Sequence, residues 1–425
     1  MALVELYRVV PDERYLALAK AFVERRGRGA VQPASDTPRA YFQDHAPLRE
    51  QATLEGHAVR AVFFATGVAD LALATGCRDY ACAAERFWRS LVGRRMYVTG
   101  AIGARRAHEA LGEDYELPND GLLESCAACG LADFAQRMFL LERRAECADV
   151  LERVLYNAVL HGMALDGAST YYGNPLSDRD NPRYNAWVCC PPNLSRTILQ
   201  IGRYAYAYGD AEIFVNLFVG GAARVPLAAG AVRLAVATEY PWDGAVAVTV
   251  EAAPPEAFAL NLRIPGWCAA AELRLNGARL DPLPRGGDGY ARLARSWRAG
   301  DRVDLALAMP VERIEAHPNV RACEGKVALQ RGPLVYAFEG LDNDGAAAVV
   351  LGLDPEFACA RRPDLLGGVT VVKGVTAAGR PFMAIPFYAL ANRGRSCQEV
   401  WAAQAGVARS SAWWLGALYR RWTPR

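Results

Sequence analysis

Lysine is nearly missing from this chain: Lys20, Lys326 and Lys373 are the only three in 425 residues. Positive charge comes instead from scattered arginines, which reads as base composition of the gene and not as a binding surface. An excess of either sign is missing too. With 48 basic against 46 acidic groups the formal net charge is +2, so there is no electrostatic case for nucleic acid or an anionic membrane as the main partner. No apolar run reaches the ~18–20 residues that a membrane span needs. The opening Met1-Ala2-Leu3-Val4-Glu5 has neither a basic n-region nor an apolar h-region. The expectation is a soluble, cytoplasmic chain, although a start lying upstream of Met1 would hide a leader.

What is there suits a packed protein. Hydrophobic residues make up 52% and charged residues 22%, which excludes disorder, and at ~150 residues per domain the length suits roughly three domains. The eleven cysteines are odd in number and do not lie in a short secreted scaffold, so most should be reduced thiols. Cys77, Cys82, Cys147, Cys268, Cys323, Cys359 and Cys397 stand alone and read as small buried hydrophobes. Cys126, Cys129 and the adjacent Cys189 and Cys190 do not.

Apolar periodicity divides the chain. Up to about residue 205 it is helical: Tyr15, Leu16, Leu18, Ala19, Phe22 and Val23 follow Asp12-Glu13, and similar stripes run from Gly56 to Thr75, Arg78 to Val92, Leu122 to Leu141 and Cys147 to Leu160. One more helix, from Asn193 to about Tyr204, follows Pro191-Pro192. The period then becomes two, with strands expected at 213–219, 232–236, 246–250, 260–264, 273–275 and 303–307 and turns at Asn276-Gly277 and Gly286-Gly287-Asp288-Gly289. From about Arg321 a second β-rich stretch, including Val327 to Phe338 and Val369 to Val375, leads to an aromatic and basic tail from Trp413-Trp414-Leu415 to Arg425 with no assigned place. The expected organisation is α+β and multidomain: a helical domain over 1–205, a β-sandwich over 206–320, and a second β-rich segment over 321–425. Paired helices in succession suit an α/α toroid as well as an irregular bundle.

Polar chemistry concentrates in loops of the helical part: His108-Glu109, Glu113 to Asp120, Glu124 to Cys129, and Trp187-Val188-Cys189-Cys190-Pro191-Pro192-Asn193. Thiolates with a carboxylate form a credible zinc shell, because the ion takes four borderline-soft ligands in a tetrahedron. Glu124 and Cys126 lie two apart where a helix begins, so both can converge. Cys189 and Cys190 are neighbours, which would point apart in regular structure unless the Pro-Pro turn bends the backbone. Spacing leaves three readings open: a closed shell of Cys126, Cys129, Cys189 and Cys190; a shell with Glu124 in place of Cys129; and no metal, with Cys129 simply core.

Several blocks resemble glycoside hydrolase family 127, the β-L-arabinofuranosidases. They are Tyr97 to Gly103, Glu109 to Asn119, Glu124-Ser125-Cys126-Ala127 and Cys189-Cys190-Pro191-Pro192-Asn193, with Gly56-His57-Ala58-Val59-Arg60 upstream and Leu155 to Leu160 between. The likeness runs from Leu3 to about Asn392. It implies a partial (α/α)6-barrel followed by β-sandwich domains and a carbohydrate substrate bearing L-arabinofuranosyl units. It further implies Cys189 as nucleophile, Glu109 as general acid/base, and Zn2+ held by Glu124, Cys126, Cys189 and Cys190. His57, Glu152 and Tyr172 would line the sugar site. Cys129 matches no ligand and becomes packing.

The chain departs from that pattern twice. The segment Asp120-Gly121-Leu122-Leu123-Glu124 is one residue short, which would turn the next helix by about 100° unless Gly121 absorbs it. Met1 corresponds to the middle of the helical barrel, so the chain is expected to be N-terminally truncated. Leu3, Val4, Tyr7 and Phe22 would then expose apolar faces, making a homo-oligomer plausible. Two rival readings follow: a non-catalytic chain with a structural zinc site and carbohydrate- or partner-binding β domains, and a metal-free thiol enzyme with Cys189 activated by His57.

Overall fold

The computed structural model describes residues 1–33, 36–180, 189–344, 349–405 and 417–422. Trp187-Val188 and the tail at Trp413-Trp414-Leu415 lie outside the described residues. The helices are α1 (Ala2–Val9), α2 (Glu13–Glu24), α3 (Ala58–Thr75), α4 (Arg78–Arg94), α5 (Ser125–Glu142), α6 (Ala145–Arg153), α7 (Cys190–Leu199) and α8 (Ile201–Ala205). Helix α6 runs on into a π-helical turn, Val154–Val159. Asp12 caps α2 by accepting the Arg14 N–H at 3.0 Å, and Gly76 ends α3 at φ 65°, the left-handed stop that glycine takes without strain.

Helices α3 and α5 pack on each other at the centre of the helical part. Each is apolar on most faces, as a helix surrounded by others must be. Helix α3 is long and apolar enough to cross a membrane by length and composition, which qualifies the expectation that no segment would pass that test. It also carries a fully buried Asp70 held by Arg137 and Arg8, each at 3.2 Å, and its packing against α5 accounts for its apolar surface. Val4 is buried as well, while Leu6, Val9, Leu18 and Phe22 are exposed, so the expected apolar exposure near the start is seen for Phe22 and not for Val4.

Among the described residues beyond 205, regular structure is β apart from three short 3-10 turns. A six-stranded antiparallel sheet orders its strands Gly221–Leu227, Gly230–Thr238, Ala245–Ala252, Arg302–Leu307, Ala271–Leu275 and Ala278–Arg279. It shares one buried cluster, including Val232, Val248, Leu260 and Val303, with a four-stranded sheet built around Phe258–Arg263 and Glu212–Val215. The last two strands of the larger sheet form a hairpin closed by Asn276 (φ 50°) and Gly277 (φ 85°), the turn those two residues favour. The strand expected over 213–219 ends at Val215, because Asn216 and Leu217 leave the sheet to hydrogen-bond the Ala205 carbonyl.

A third sheet contains Lys326–Arg331, Leu334–Glu339 and Val369–Val375. It reaches back to the helical part: Ser177–Asp178 pairs with Gln398–Glu399. A helical domain followed by β domains is therefore the observed fold. All eleven cysteines are free thiols, but Cys82 and Cys359 are exposed and Cys77 and Cys397 only half-buried; of the seven solitary cysteines, only Cys147, Cys268 and Cys323 are buried as expected.

Candidate active site

Backbone pairing between loops brings the polar residues together. Glu124 stands at the N-cap of α5 with Cys126 in its first turn, and an isolated bridge pairs Glu124 with Gly173. The Ser125 N–H donates to the Tyr172 carbonyl at 2.8 Å, and the Ser125 hydroxyl donates to the Tyr171 carbonyl at 2.6 Å. Tyr172 is thereby fixed beside Glu124. On the opposite strand of the loop cluster, His57 pairs with Ala110, which places Glu109 across from the His57 ring.

Glu124, Cys126, Cys189 and Cys190 each offer one ligand atom, and those atoms lie within 4.8 Å of one another. The Sγ atoms of Cys126 and Cys190 are 3.4 Å apart, and those of Cys189 and Cys190 are 3.8 Å apart. Glu124 Oε1 lies 3.4 Å from Cys189 Sγ and 3.8 Å from Cys190 Sγ. The Pro-Pro pair does not bend the chain after the thiols, as the sequence suggested it must. Pro191 and Pro192 occupy the first turn of α7, where a missing N–H is harmless, and Cys189 is the N-cap. Two helix N-termini thus converge, and both favour negative charge on the thiols.

Two thiols of this group are held in their protonated form when no ion is bound. Burial, then the neighbouring Cys126, pushes the Cys189 thiol up to about 12; its hydrogen bond to Cys190, then burial, raises the Cys126 thiol too. A bound positive ion would offset the cost of ionising these two thiols. This donor set fits one ion. Cys129 is fully buried and outside the group, so the four-thiol shell is not formed; one helical turn beyond Cys126, it packs instead. The short segment before α5 has not turned Cys126 away. Gly121 closes a tight turn on the Pro118 carbonyl at 3.0 Å, and a Cβ there would meet the Tyr97 hydroxyl at 2.8 Å.

Beside the cluster, His57 Nε2 lies 2.8 Å from Glu109 Oε2, and the Tyr172 hydroxyl donates to Glu109 Oε1. Glu109 and His57 also come within 4.8 Å of Glu124, ligand atom to ligand atom. His108 and Glu109 have φ of 56° and 50°, a conformation worth ~1–3 kcal/mol of strain per non-glycine residue and typical of functional loops. Positive φ at two successive residues gives no sequence signal. The other acids of this loop are occupied elsewhere: Asp114 pairs with Arg94 at 2.7 Å and Arg95 at 3.0 Å, and Glu116 pairs with Arg105 at 2.6 Å.

Two expectations are corrected. Glu152 does not join this group. Its carboxylate is buried at the junction with the β-sandwich, where Tyr240 donates at 2.6 Å, Trp267 Nε1 at 3.1 Å, and the Arg263 guanidinium pairs with it. No capacity remains for a sugar hydroxyl. His57 does not pair with Cys189 either: its Nδ1 accepts the Val59 N–H at 3.2 Å and its Nε2 faces Glu109, so the metal-free His–Cys reading has no base. Sequence reasoning missed Asn193, whose Nδ2 donates to Cys126 Sγ at 3.3 Å; its position directly after the Pro-Pro pair was the available signal. A cavity of about 720 Å³ opens beside Tyr172, lined by Arg106, Asn119, Asp178, Arg179 and Lys326 among others.

Fold and site together define a class: a helical domain with a thiol–carboxylate centre at two helix N-termini, backed by β domains. Residues 1–203 match the GH127 catalytic domain of β-L-arabinofuranosidase, 212–309 the GH127 middle domain, and 311–403 the family 127 C-terminal domain. The crystal structure of Ara127N-Se, a GH127 β-L-arabinofuranosidase from Geobacillus stearothermophilus T6, is 39% identical with a TM-score of 0.89, over 95% of this chain and 71% of that one. A second GH127 β-arabinofuranosidase structure is 35% identical with a TM-score of 0.88, over 95% and 68%. A non-reducing end β-L-arabinofuranosidase from Bifidobacterium longum subsp. longum is 36% identical over 419 residues. The chain spans 62% of that curated relative's length, and the match covers 88% of this chain. The chain belongs to glycoside hydrolase family 127.

Proposed function

We infer that the protein is a zinc-dependent, retaining glycoside hydrolase that removes β-L-arabinofuranosyl units from glycans. The observation that carries this reading is the convergence of Glu124, Cys126, Cys189 and Cys190 within reach of a second carboxyl group, Glu109. A tetrahedral ion with Zn–S bonds of ~2.3 Å has edges of about 3.8 Å, and the sulfur separations of 3.4 and 3.8 Å are close to that. The relatives' names supply the sugar.

Bound zinc would remove the proton from its thiol ligands, so that Cys189, the exposed member, is a thiolate at neutral pH. Cys189 Sγ attacks the anomeric carbon, a C–S bond forms, and the bond to the leaving oxygen breaks as Glu109 gives that oxygen its proton. Water then attacks the same carbon, passes a proton to Glu109, and releases the Cys189 thiolate. Two displacements retain configuration. In the usual retaining enzyme a second carboxylate is the nucleophile; here sulfur replaces it. Tyr172, which donates to Glu109, also lines the cavity together with Arg106.

The test is turnover of a chromogenic β-L-arabinofuranoside by the zinc-loaded chain, with product configuration followed by NMR. Activity lost in Cys189→Ser and in Glu109→Gln is expected. A folded, zinc-loaded chain inert on every arabinofuranoside would overturn the reading in favour of a structural zinc site.

A further inference from the structure

We propose that the cavity beside Tyr172 is the leaving-group subsite and that it takes a sugar carrying an anionic group, a carboxylate or a sulfate ester, held by Arg106, Arg179 and Lys326. This deepens the reading of the chain as an arabinofuranosidase and rests on it.

The cavity lies where two domains meet. Loops of the helical part supply Arg106, Tyr172 and Arg179, and the third sheet supplies Lys326, the first residue of the strand Lys326–Arg331. The two walls are tied together beside it. Asn119 Nδ2 donates to the Ala322 carbonyl at 3.1 Å, and Ser177–Asp178 pairs with Gln398–Glu399. Ligand pockets favour such junctions, and about 720 Å³ falls within the ~300–1,000 Å³ that small ligands occupy. Tyr172 relates this space to the acid: its hydroxyl donates to Glu109 Oε1, and its side chain lines the cavity.

Neighbouring arginines have carboxylates of their own, Arg94 and Arg95 at Asp114 and Arg105 at Glu116. The cations of the cavity do not. Among the described residues, none of Arg106, Arg179 and Lys326 pairs with a carboxylate. Arg106 makes one long contact, 3.4 Å to the Asp120 carbonyl. Glu399 lies within electrostatic reach of Lys326 but is hydrogen-bonded by the Ser177 hydroxyl at 2.6 Å. Lys326 is half-buried, so its ammonium has given up part of its water without gaining a counter-ion. A cation in that position favours an anionic ligand.

Asp120 and Asp178 line the cavity too. Asp178 Oδ1 already accepts the Asp180 N–H at 3.0 Å, and the lining keeps an excess of one positive charge. Carboxylates and cations side by side suit sugar hydroxyls, which both donate and accept. The excess suits a sugar with a negative charge of its own, and a guanidinium can grip such a group through two parallel hydrogen bonds.

The experiment has two arms on the zinc-loaded full chain. The first follows binding of methyl galacturonoside, its neutral methyl ester and methyl galactoside 6-sulfate by ligand-detected NMR titration. One or both anions are expected to bind about tenfold more tightly than the ester, with the advantage shrinking as salt screens the cations. Whichever anion gains more identifies the group. Equal affinity for the ester overturns the proposal. The second arm uses β-L-arabinofuranosyl disaccharides whose leaving sugar is galacturonate or its methyl ester. The ratio of kcat/KM, acid to ester, is expected near ten, expressed in KM, and should fall towards one in Lys326→Met and in Arg179→Gln. Arg179 is exposed, so its variant tests the charge without disturbing the core. A ratio unchanged in both variants overturns the proposal. A parent chain that binds the anion yet cleaves neither disaccharide overturns the arabinofuranosidase reading and the leaving-group role with it, while the binding arm still decides the anionic site.

Discussion

Cys126 and Cys190, 64 positions apart in the chain, bring their sulfur atoms to 3.4 Å at the N-termini of two different helices. Such a contact between acidic groups has a consequence for the metal-free protein. Cys189, beside them, has its thiol raised to about 12, so it is protonated at neutral pH and ionises only as the pH climbs towards that value. After chelation, alkylation of Cys189 by iodoacetamide is expected to be slow at pH 7 and to rise about tenfold per pH unit through the alkaline range. Mass spectrometry of the labelled peptide checks this. A rate that levels off below pH 9 would show that something other than the metal ionises the thiol.

Asn193 is expected to tune metal binding without touching the metal. Its Nδ2 donates to Cys126 Sγ at 3.3 Å, its Oδ1 accepts from Arg196 at 3.4 Å, and Arg196 is anchored to the buried Asp133 at 2.9 Å. Partners of metal ligands are worth roughly 10–100-fold in affinity. Asn193→Ala should weaken zinc binding by about that factor in a chelator competition, with the chain still folded. Unchanged affinity would reduce the contact to packing.

The junction between the helical part and the β-sandwich depends on one buried cation. Arg263 is fully buried and pairs with both Glu152 and Asp149. Breaking a buried pair by removing one partner leaves the other charges uncompensated and is worth about 3–5 kcal/mol. Arg263→Ala is expected to lower stability by roughly that amount in denaturant unfolding. A loss below about 1 kcal/mol would put this site among exposed ion pairs.

Glu152 also shows where sequence reading stops. Its place in a helix was plain from periodicity, but nothing local reveals that Arg263, 111 residues later, takes its carboxylate. Glu124, Cys126, Cys189 and Cys190 were legible because their residue types and spacings are rare and belong to recurring blocks. Helix existence was legible as well: α2, α3 and α5 begin and end within a few residues of their apolar stripes. The Pro-Pro pair was misjudged because proline marks a bend and a helix start equally well, and only the backbone tells them apart. The strand Gly221–Leu227 was missed since Ala222 to Arg224 show no alternation and Pro226 argues against a strand.

Gly56 offers a way to separate the acid from the metal. At its φ of 87°, an added Cβ would lie 1.8 Å from the Ala40 oxygen, so there is no room for a side chain. Its carbonyl accepts the Leu111 N–H at 2.9 Å, and the next residue pairs with Ala110, so a shift here moves His57 and Glu109 together. The four residues that could hold a metal stand at the N-termini of α5 and α7, on other elements than that contact. Gly56→Ala should therefore lower stability by about 1–3 kcal/mol from backbone strain alone, more with the clash. It should reduce turnover of poor leaving groups and leave zinc content at the parent value. Metal analysis and a thermal melt on the same preparation check this. Loss of zinc in step with loss of activity would mean that the loop carrying Glu109 and the metal cluster fold as one unit.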